Sequence, residues 1–393
     1  MPALNQLVSL CWLGLGTLGS RLASALVIVV GIAGVVGVLV ALLAMGAGFE
    51  ATLVATGAPD QAIVLRGGAN AELSSSIDRQ DVTVISAGPG IARDERGRPI
   101  VSAEVVVVVN IPKKATGTDA NVEIRGVGPE VYALRPNVRI TSGRAFTPGR
   151  HELLVGRGAA GQFAGLATGA TLTLNQEPWT VVGTFESGDA HESEIWADAE
   201  ALQSTYRRNA FQSVTVRLER PELITPLEAA LTTDPRLHVD VTPTLEYYAT
   251  QSERLRKLID FLATTVAVIM AIGATFGALN TMYAAVAARA REVAMLRAIG
   301  FASGPIVVSV MLEAMLLALL GGAIGAGLAW AIFDRYTVST LGANFSQVVF
   351  AFQVSPGLVA RALGLALLIG LAGGLLPALR AARAPLTDAL RAS

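Results

Sequence analysis

The sequence predicts a membrane protein: four transmembrane helices, with a large α+β extracytoplasmic domain inserted between helix 1 and helix 2. Two observations predict it. Of 393 residues 52% are hydrophobic and only 16% charged, with a mean hydropathy of +0.53, whereas soluble chains are about 25% charged. The few charges are also unevenly spread: residues 50–260 hold 27 of the 31 acidic and 21 of the 30 basic side chains, so the rest of the chain is apolar enough for a bilayer.

Each span is read from a charge-free run. None of the 28 residues between Arg21 and Glu50 is charged, nor any of the 28 between Asp260 and Arg289. Between Arg297 and Asp334 the only charge is Glu313, and 18 uncharged residues separate Arg361 from Arg380. A span needs about 20 apolar residues, so the last run needs a start near Pro356. The first run is too long for the apolar core of a secretory leader, and no Lys or Arg stands in the first 20 residues, which favours an uncleaved anchor. Ahead of it, residues 4–20 read as an interfacial helix.

Basic residues in short loops set orientation. Arg21, Arg289, Arg291, Arg297, Arg380, Arg383 and Arg391 gather on one side, against Glu292 and Asp388; the opposite loop offers Arg335 and Asp334. Both termini are therefore expected in the cytoplasm of a multi-pass cell-membrane protein (the inner membrane, if the source has two). The expected boundaries are 1–49 for the interfacial segment and helix 1, 50–243 for the external domain and 244–288 for a stalk helix running into helix 2. A cytoplasmic helix follows at 289–303, then helix 3 at 304–333, an external loop at 334–356, helix 4 at 357–379 and a tail at 380–393.

In the external domain, short β-branched segments bounded by Gly, Pro, Asn or Asp read as strands: 62–65, 82–85, 104–110, 122–126, 152–155, 171–174, 179–184 and 213–218. Residues 199–206 and 222–232 read as helices, which makes the domain α+β. Thr242 and Pro243 look like the cap and first residue of the stalk helix. Asp94-Glu95-Arg96 before Gly97 reads as a hairpin tip.

Much chemistry is excluded. A net charge of −1 without a basic tail gives nucleic acid nothing to bind. One cysteine, Cys11, forms no disulfide framework. No lysine follows a glycine, so no P-loop is present, and no G-x-S-x-G nucleophile elbow occurs. His191-Glu192-Ser193-Glu194 lacks a histidine at i+4 and reads as a surface loop rather than a metal corner. No catalytic residue, metal site or bound cofactor is expected in this chain.

Three features invite interpretation. In residues 289–300, Val293, Leu296 and Gly300 share one helical face, while Arg289, Glu292 and Arg297 lie elsewhere. A loop that merely sets topology explains the arginines but not the Val/Met/Leu/Ile series, so an amphipathic helix that docks on another protein is expected. Glu313 stands about two turns inside the third span, where a carboxylate costs something like 2.5–3.5 kcal/mol. It is either a relay or substrate contact, or a packing residue near the cytoplasmic helix. Small residues repeat at Gly31, Gly34 and Gly37, at Gly273 and Gly277, and in the later spans at Gly321 and Gly325 and at Gly370 and Gly374; such spacing permits close helix contact.

With these residues in view, the chain resembles the permeases of the MacB/FtsX/LolC-type ABC transporter superfamily over nearly its whole length, without a fused ATPase domain. The first span, 18–49, is similar to that family's opening segment. Glu152–Gly156, Leu166–Gly169 and Trp179–Gly183 resemble the external domain of MacB-type permeases. Arg291-Glu292-Val293 through Gly300, with Glu313-Ala314 and Gly321-Gly322, resembles the family's most recognisable stretch, and Pro377–Ala382 with Pro385–Arg391 its C-terminal signature. Where the family often has basic residues just after Gly300, this chain has Ser303-Gly304-Pro305.

The resemblance implies a permease subunit that couples ATP hydrolysis by a separate ATPase to motion of its external domain, termed mechanotransmission, for export or extraction of a periplasmic or membrane-derived substrate. It implies that Arg289, Arg291, Glu292, Met295, Leu296, Arg297 and Gly300 form the coupling helix, and that ATP and Mg sit on the partner. It also implies a second permease copy, in a homodimer or heterodimer, meeting through the first two spans at Gly31, Gly34, Gly37, Gly273 and Gly277. A membrane-fusion adaptor is a further candidate partner. The alternatives are a non-transporting anchor that displays a binding or sensor domain, and an FtsX-like regulator of cell-wall hydrolases.

Overall fold

The computed structural model describes residues 22–299, 302–342 and 344–383. The expected interfacial helix at 4–20, Cys11, Gly300 and the Pro385–Arg391 motif lie outside the described residues. The chain divides into two compact units: a helical unit of residues up to 47, 257–336 and from 352 on, and an α+β unit of 48–256 with 337–351.

The helical unit holds the four long apolar helices: α1 (Leu22–Val54), α7 (Thr244–Ala288), α9 (Ser303–Phe333) and α10 (Pro356–Arg383). Each is long and apolar enough to cross a membrane. At 1.5 Å per residue the 45 residues of α7 extend about 68 Å, twice a bilayer's apolar thickness of about 30 Å. Both α1 and α7 begin or end in the α+β unit, so they are continuous elements shared by the two.

Small residues let the helices approach. A Cβ on Gly325 of α9 would fall 2.3 Å from the Ala33 carbonyl oxygen of α1, and one on Gly321 would fall 2.7 Å from that of Val29. In α10, Gly370 and Gly374 meet Ala318 and Ala314 of α9. Without a solvent-driven force between helices in lipid, such backbone proximity supplies the dispersion contact that holds them. A short helix, α8 (Ala290–Ala298), joins α7 towards α9.

The α+β unit follows α1 as β1 (Gln61–Arg66), β2 (Ile77–Asp78), α2 (Arg79–Ser86), β3 (Val101–Pro112), β4 (Asp119–Val127), α3 (Val131–Leu134) and β5 (Arg139–Gly143). Then come β6 (Glu152–Gly156), α4 (Arg157–Gln162), β7 (Thr171–Leu174), β8 (Glu177–Glu186), β9 (Ile195–Asp198), α5 (Ala199–Tyr206), β10 (Ala210–Phe211), β11 (Ser213–Arg217), α6 (Ile224–Thr233) and β12 (Val239–Pro243). Nine strands order as β12-β1-β11-β3-β4-β9-β6-β8-β5, with β7 beside β8. Among the described residues this unit has three apolar clusters: α2 and α6 cover β1, β11 and β12 through Ile85, Leu227 and Leu231, Trp179, Phe163 and Leu202 fill one side of the β3–β4–β9–β6–β8 half, and Val131, Leu154, Phe185 and Trp196 form a third.

Several local expectations are corrected. Residues 82–85 are helical within α2, because Val82 and Ile85, three apart, turn one face towards the cores. Thr242 and Pro243 end strand β12, paired with Ile63 and Ala62, and the long helix starts at Thr244. A proline fits there because β12 is an edge strand. The loop 334–356 contains a hairpin, β13 (Thr337–Leu341) and β14 (Gln347–Ala351), which belongs to the α+β unit although it joins two helices of the other.

Candidate functional site

Two groupings stand out: the α8 segment in the helical unit and a buried ion cluster in the α+β unit.

In α8, Ala294 is buried and Val293 half-buried; Val293 packs with Val286, Ile306 and Ala381. This apolar face is turned onto the chain's own helices. The outward side carries Arg291, Glu292, Met295 and Ile299, the last two 53% and 72% exposed. Arg297 is half-buried and lines a cavity of about 530 Å³ with Tyr283, Asn280 and Arg380, whose guanidinium lies 5.5 Å from the Tyr283 ring centroid. Arg289 points inward, its Nη1 donating to Glu313 Oε2 at 2.9 Å. Of the two readings of Glu313, this geometry is that of an ion pair packed near α8; the pairing offsets the cost of a carboxylate at this depth. The guanidinium of Arg289 is thus engaged within the chain rather than displayed beside Met295.

The glycines sort into two sets. A Cβ added at Gly37 would lie 3.5 Å from the Gly325 carbonyl oxygen, whereas Cβ atoms added at Gly31, Gly34, Gly273 or Gly277 would meet nothing within 4 Å.

The buried cluster forms where β4 presents alternate residues. Val122 and Ile124 enter the apolar core, so Glu123 and Arg125 share the opposite face. That face is not solvated: Arg125 is 2% exposed and Glu123 5%. Arg125 donates to Glu194 from Nε and Nη2 (both 2.9 Å), to Glu72 from Nη1 and Nη2 (2.7 and 3.0 Å), to Glu104 (2.9 Å) and to Glu123 (2.5 Å). Arg135 supplies a second cation to Glu104 at 2.9 Å. Ser213 donates to Glu72 and Trp196 Nε1 to Glu194.

Electrostatics separate the four carboxylates. Burial would raise Glu104, but the charges of Arg135 and Arg125 prevail and hold it at about 2. Glu72 is likewise lowered, Arg125 outweighing the cost of burial. Glu123 moves the other way, raised by burial and by Glu194 and Glu72 beyond what Arg125 offsets. Nearby, burial would raise Asp189, yet contacts with His191, Ser187 and Asn137 hold it well below the usual range.

Of Glu72, Glu104, Glu123, Arg125 and Glu194, only Glu194 was singled out in the sequence, within His191–Glu194, and there as part of a surface loop. The one available signal was the alternation Val122-Glu123-Ile124-Arg125, which ordinarily marks a solvated face. His191 to Glu194 is also not a surface loop: His191 is 1% and Glu194 8% exposed.

The sequence matches the family described as MacB-like periplasmic core domain over residues 24–234, and the FtsX-like permease C-terminal family over 264–386. The chain belongs to the MacB/FtsX-like permease family. The MacB-like match includes every residue of the Arg125–carboxylate cluster and stops short of β12, and the FtsX-like match includes α8 and Glu313. Among curated relatives, this permease is 25% identical over 304 residues to the macrolide export ATP-binding/permease protein MacB of Bordetella avium, covering 72% of this chain and 45% of that one. It is 23% identical over 376 residues to the protein of the same name from Shewanella sp. strain ANA-3, covering 84% and 55%. The chain therefore spans about half the length of these relatives. Among solved structures, the periplasmic region of MacB from Actinobacillus actinomycetemcomitans aligns with a TM-score of 0.36 at 14% identity, covering 49% of this chain and 92% of that one. The extracellular domain of YknZ, a noncanonic ABC-type transporter from Gram-positive bacteria, aligns at 0.34 and 16%, covering 46% and 99%.

Proposed function

We propose that this chain is the permease subunit of an ABC transporter, driven by a separate ATPase that carries ATP and Mg, and that it transmits their action as motion of the inserted domain. The observation that carries this reading is the outward side of α8. Met295 and Ile299 stand one turn apart, highly exposed, beside the charges of Arg291 and Glu292. Apolar anchors with a charged rim are the usual composition of a protein docking surface. The same helix packs Val293 against the long helices, so force applied to α8 reaches them through a packed contact. Helix α7 continues unbroken into the α+β unit, and a continuous helix transmits displacement along its axis without a hinge.

On this reading α8 and both termini face the cytoplasm, in keeping with the arginine distribution, and the α+β unit lies outside, in the periplasm if the membrane is an inner one. The relatives named for macrolide export support export, or extraction from the membrane, as the task. The open surfaces at Gly31, Gly34, Gly273 and Gly277 suit close packing with a second permease copy, and a two-fold pair is the commonest closed assembly. A membrane-fusion adaptor would suit an export assembly.

The test is co-purification with a candidate ABC ATPase co-expressed with this permease. Met295→Glu and Ile299→Glu should each lower ATPase recovery at least tenfold while the permease keeps its thermal unfolding profile; Glu292→Arg should weaken recovery less. Undiminished recovery in a Met295→Glu, Ile299→Glu double variant would refute docking at α8.

A further inference from the structure

The cavity of about 530 Å³ beside α8 is separate from that helix's outward side, since Met295 and Ile299 do not line it. It lies where α7 passes into α8 against the end of α10. Its walls include Asn280, Tyr283 and Ala287 of α7, Val293 and Arg297 of α8, and Arg380 of α10. The space exists because the helix breaks at Arg289 and the alanines at 284, 287, 290 and 294 leave little side chain to fill the angle.

Its charge is one-sided. Two arginines line it, and none of the described lining residues is acidic. The carboxylates of this region are placed elsewhere: Glu313 accepts from Arg289, and Glu292 is exposed on the outward side of α8. Arg380 lies 5.5 Å from the Tyr283 ring centroid, a contact that steadies the guanidinium without consuming its N–H donors. A guanidinium carries five such donors, so bonds elsewhere in the chain still leave either arginine able to grip an anion.

Depth adds a second constraint. Arg289 ends a charge-free run of 28 residues and Arg380 one of 18, so the cavity straddles the level at which the spans leave the apolar layer. Tyrosine belongs at that level. Asn280 stands about 12 Å before the end of α7, at 1.5 Å per residue, inside the charge-free run and exposed. An amide there needs an acceptor that hydrocarbon does not supply.

We propose that this cavity binds the headgroup of an anionic phospholipid, with the phosphate held by Arg297 and Arg380 and the ester region beside Tyr283 and Asn280. A phospholipid carries its phosphate at the membrane surface and its ester carbonyls just beneath, in the order in which the cavity presents arginine and then amide. Arginine's planar fork suits phosphate oxygens, and basic pockets between membrane helices hold such headgroups. A zwitterionic headgroup would bring its own cation to a lining whose described residues offer no carboxylate. A free phosphate would meet both arginines but leave Asn280 and the apolar stretch of α7 uncovered. With one arginine on α8 and the other on α10, a bound phosphate bridges the two helices. The site needs neither an ATPase nor a particular orientation of the spans, and it is tested without either.

The experiment is native mass spectrometry of the full chain, released from detergent after incubation with phosphatidylglycerol or with phosphatidylcholine of the same acyl chains. One phosphatidylglycerol should be retained per chain, at least about tenfold over phosphatidylcholine, and Arg297→Gln and Arg380→Gln should each lower its retention about fivefold, the share of one basic side chain beside anionic lipid. Ala287→Phe, which fills the cavity without changing the charge, should lower retention as well. Arg383→Gln removes a neighbouring charge that does not line the cavity and should leave retention unchanged. Equal retention of the two lipids would overturn the proposal, as would undiminished retention in the Arg297→Gln, Arg380→Gln double variant. A fall in Arg383→Gln as large as in Arg380→Gln would reduce the effect to general surface charge and refute the site. Displacement of the lipid by inorganic phosphate at equal concentration would assign the cavity to a free anion, and retention that appears only after removal of residues 384–393 would assign it to that segment; either result overturns the proposal. Should Arg380→Gln not fold, Arg297→Gln and Ala287→Phe decide the matter.

Discussion

Replacing Arg125 by methionine removes the hub of the buried cluster and leaves its four carboxylates in place. Arg125 makes six hydrogen bonds to Glu72, Glu104, Glu123 and Glu194. A guanidinium has five N–H donors, so at about 1.5–3 kcal/mol for a bond to a charged group their gross sum is about 8–15 kcal/mol. Most of that offsets the desolvation of Arg125 and its ionised partners, and breaking a buried pair at one partner costs about 3–5 kcal/mol net. Since several carboxylates lose compensation together, the upper end applies. For a domain of about 200 residues each kcal/mol lowers Tm by about 2–4 °C, giving a fall of about 10–20 °C. Trp179 and Trp196 are both fully buried in this domain, so near-ultraviolet circular dichroism during a thermal ramp in detergent reports it. The deficit should shrink as pH falls below about 4, because protonated carboxylates no longer need the guanidinium, and adding Glu72→Gln to Arg125→Met should restore part of the loss. A melt within about 2 °C of the parent at neutral pH would refute the reasoning.

Further outcomes follow from the same structure. The inserted domain should be most stable near about pH 5: Glu72 and Glu104 have lowered values, so their contribution is present above the ordinary carboxylate range and lost as pH falls towards about 2, whereas the raised Glu123 contributes fully below about 4.5 and loses its contribution as pH rises to about 8. Melts recorded from about pH 2 to about pH 9 check this, and a stability that climbs steadily up to about pH 8 would contradict it. Breaking the Arg289–Glu313 pair with Arg289→Ala should cost about 3 kcal/mol or more, with partial recovery on adding Glu313→Gln; additive losses in the double-variant cycle would show the two do not interact. Gly325→Leu should disrupt the α1–α9 contact and lower helical-unit stability, while Gly327→Leu, whose Cβ position is open, should leave it unchanged. For the second copy, Gly273→Leu should weaken a cross-linked dimer and Gly364→Leu should not; equal yields would place the interface elsewhere. Cysteines at Thr118 and Glu95 should react with an impermeant thiol reagent from outside the cell and Ala302→Cys should not, and uniform labelling would remove the proposed orientation.

What could be read from the sequence was whatever depends on local composition. A charge-free run of bilayer length has one favourable solvent, so the four long helices and the insertion between the first two followed from the positions of Arg21, Glu50, Asp260, Arg289, Asp334 and Arg380. Strands such as Glu152–Gly156 were legible as short apolar runs bounded by glycine and other turn residues, and the helix Ala199–Tyr206 was legible as well. Residues 82–85 were not, since four residues cannot distinguish a period of 2 from one of 3.6; only packing on two of the apolar clusters made them helical. The polar face of β4 shows the limit most plainly. An alternating Val-Glu-Ile-Arg strand reads as half solvated, and nothing nearby in sequence says otherwise. The elements that dry out Glu123 and Arg125 arrive from residues 72, 104, 194 and 344. Likewise the sequence placed Glu313 inside a span, but only the fold brought Arg289 to it, 24 positions away. Burial of a charge is a property of everything packed around it, so contacts between distant segments, and not the local sequence, turned a surface pattern into a buried ion cluster.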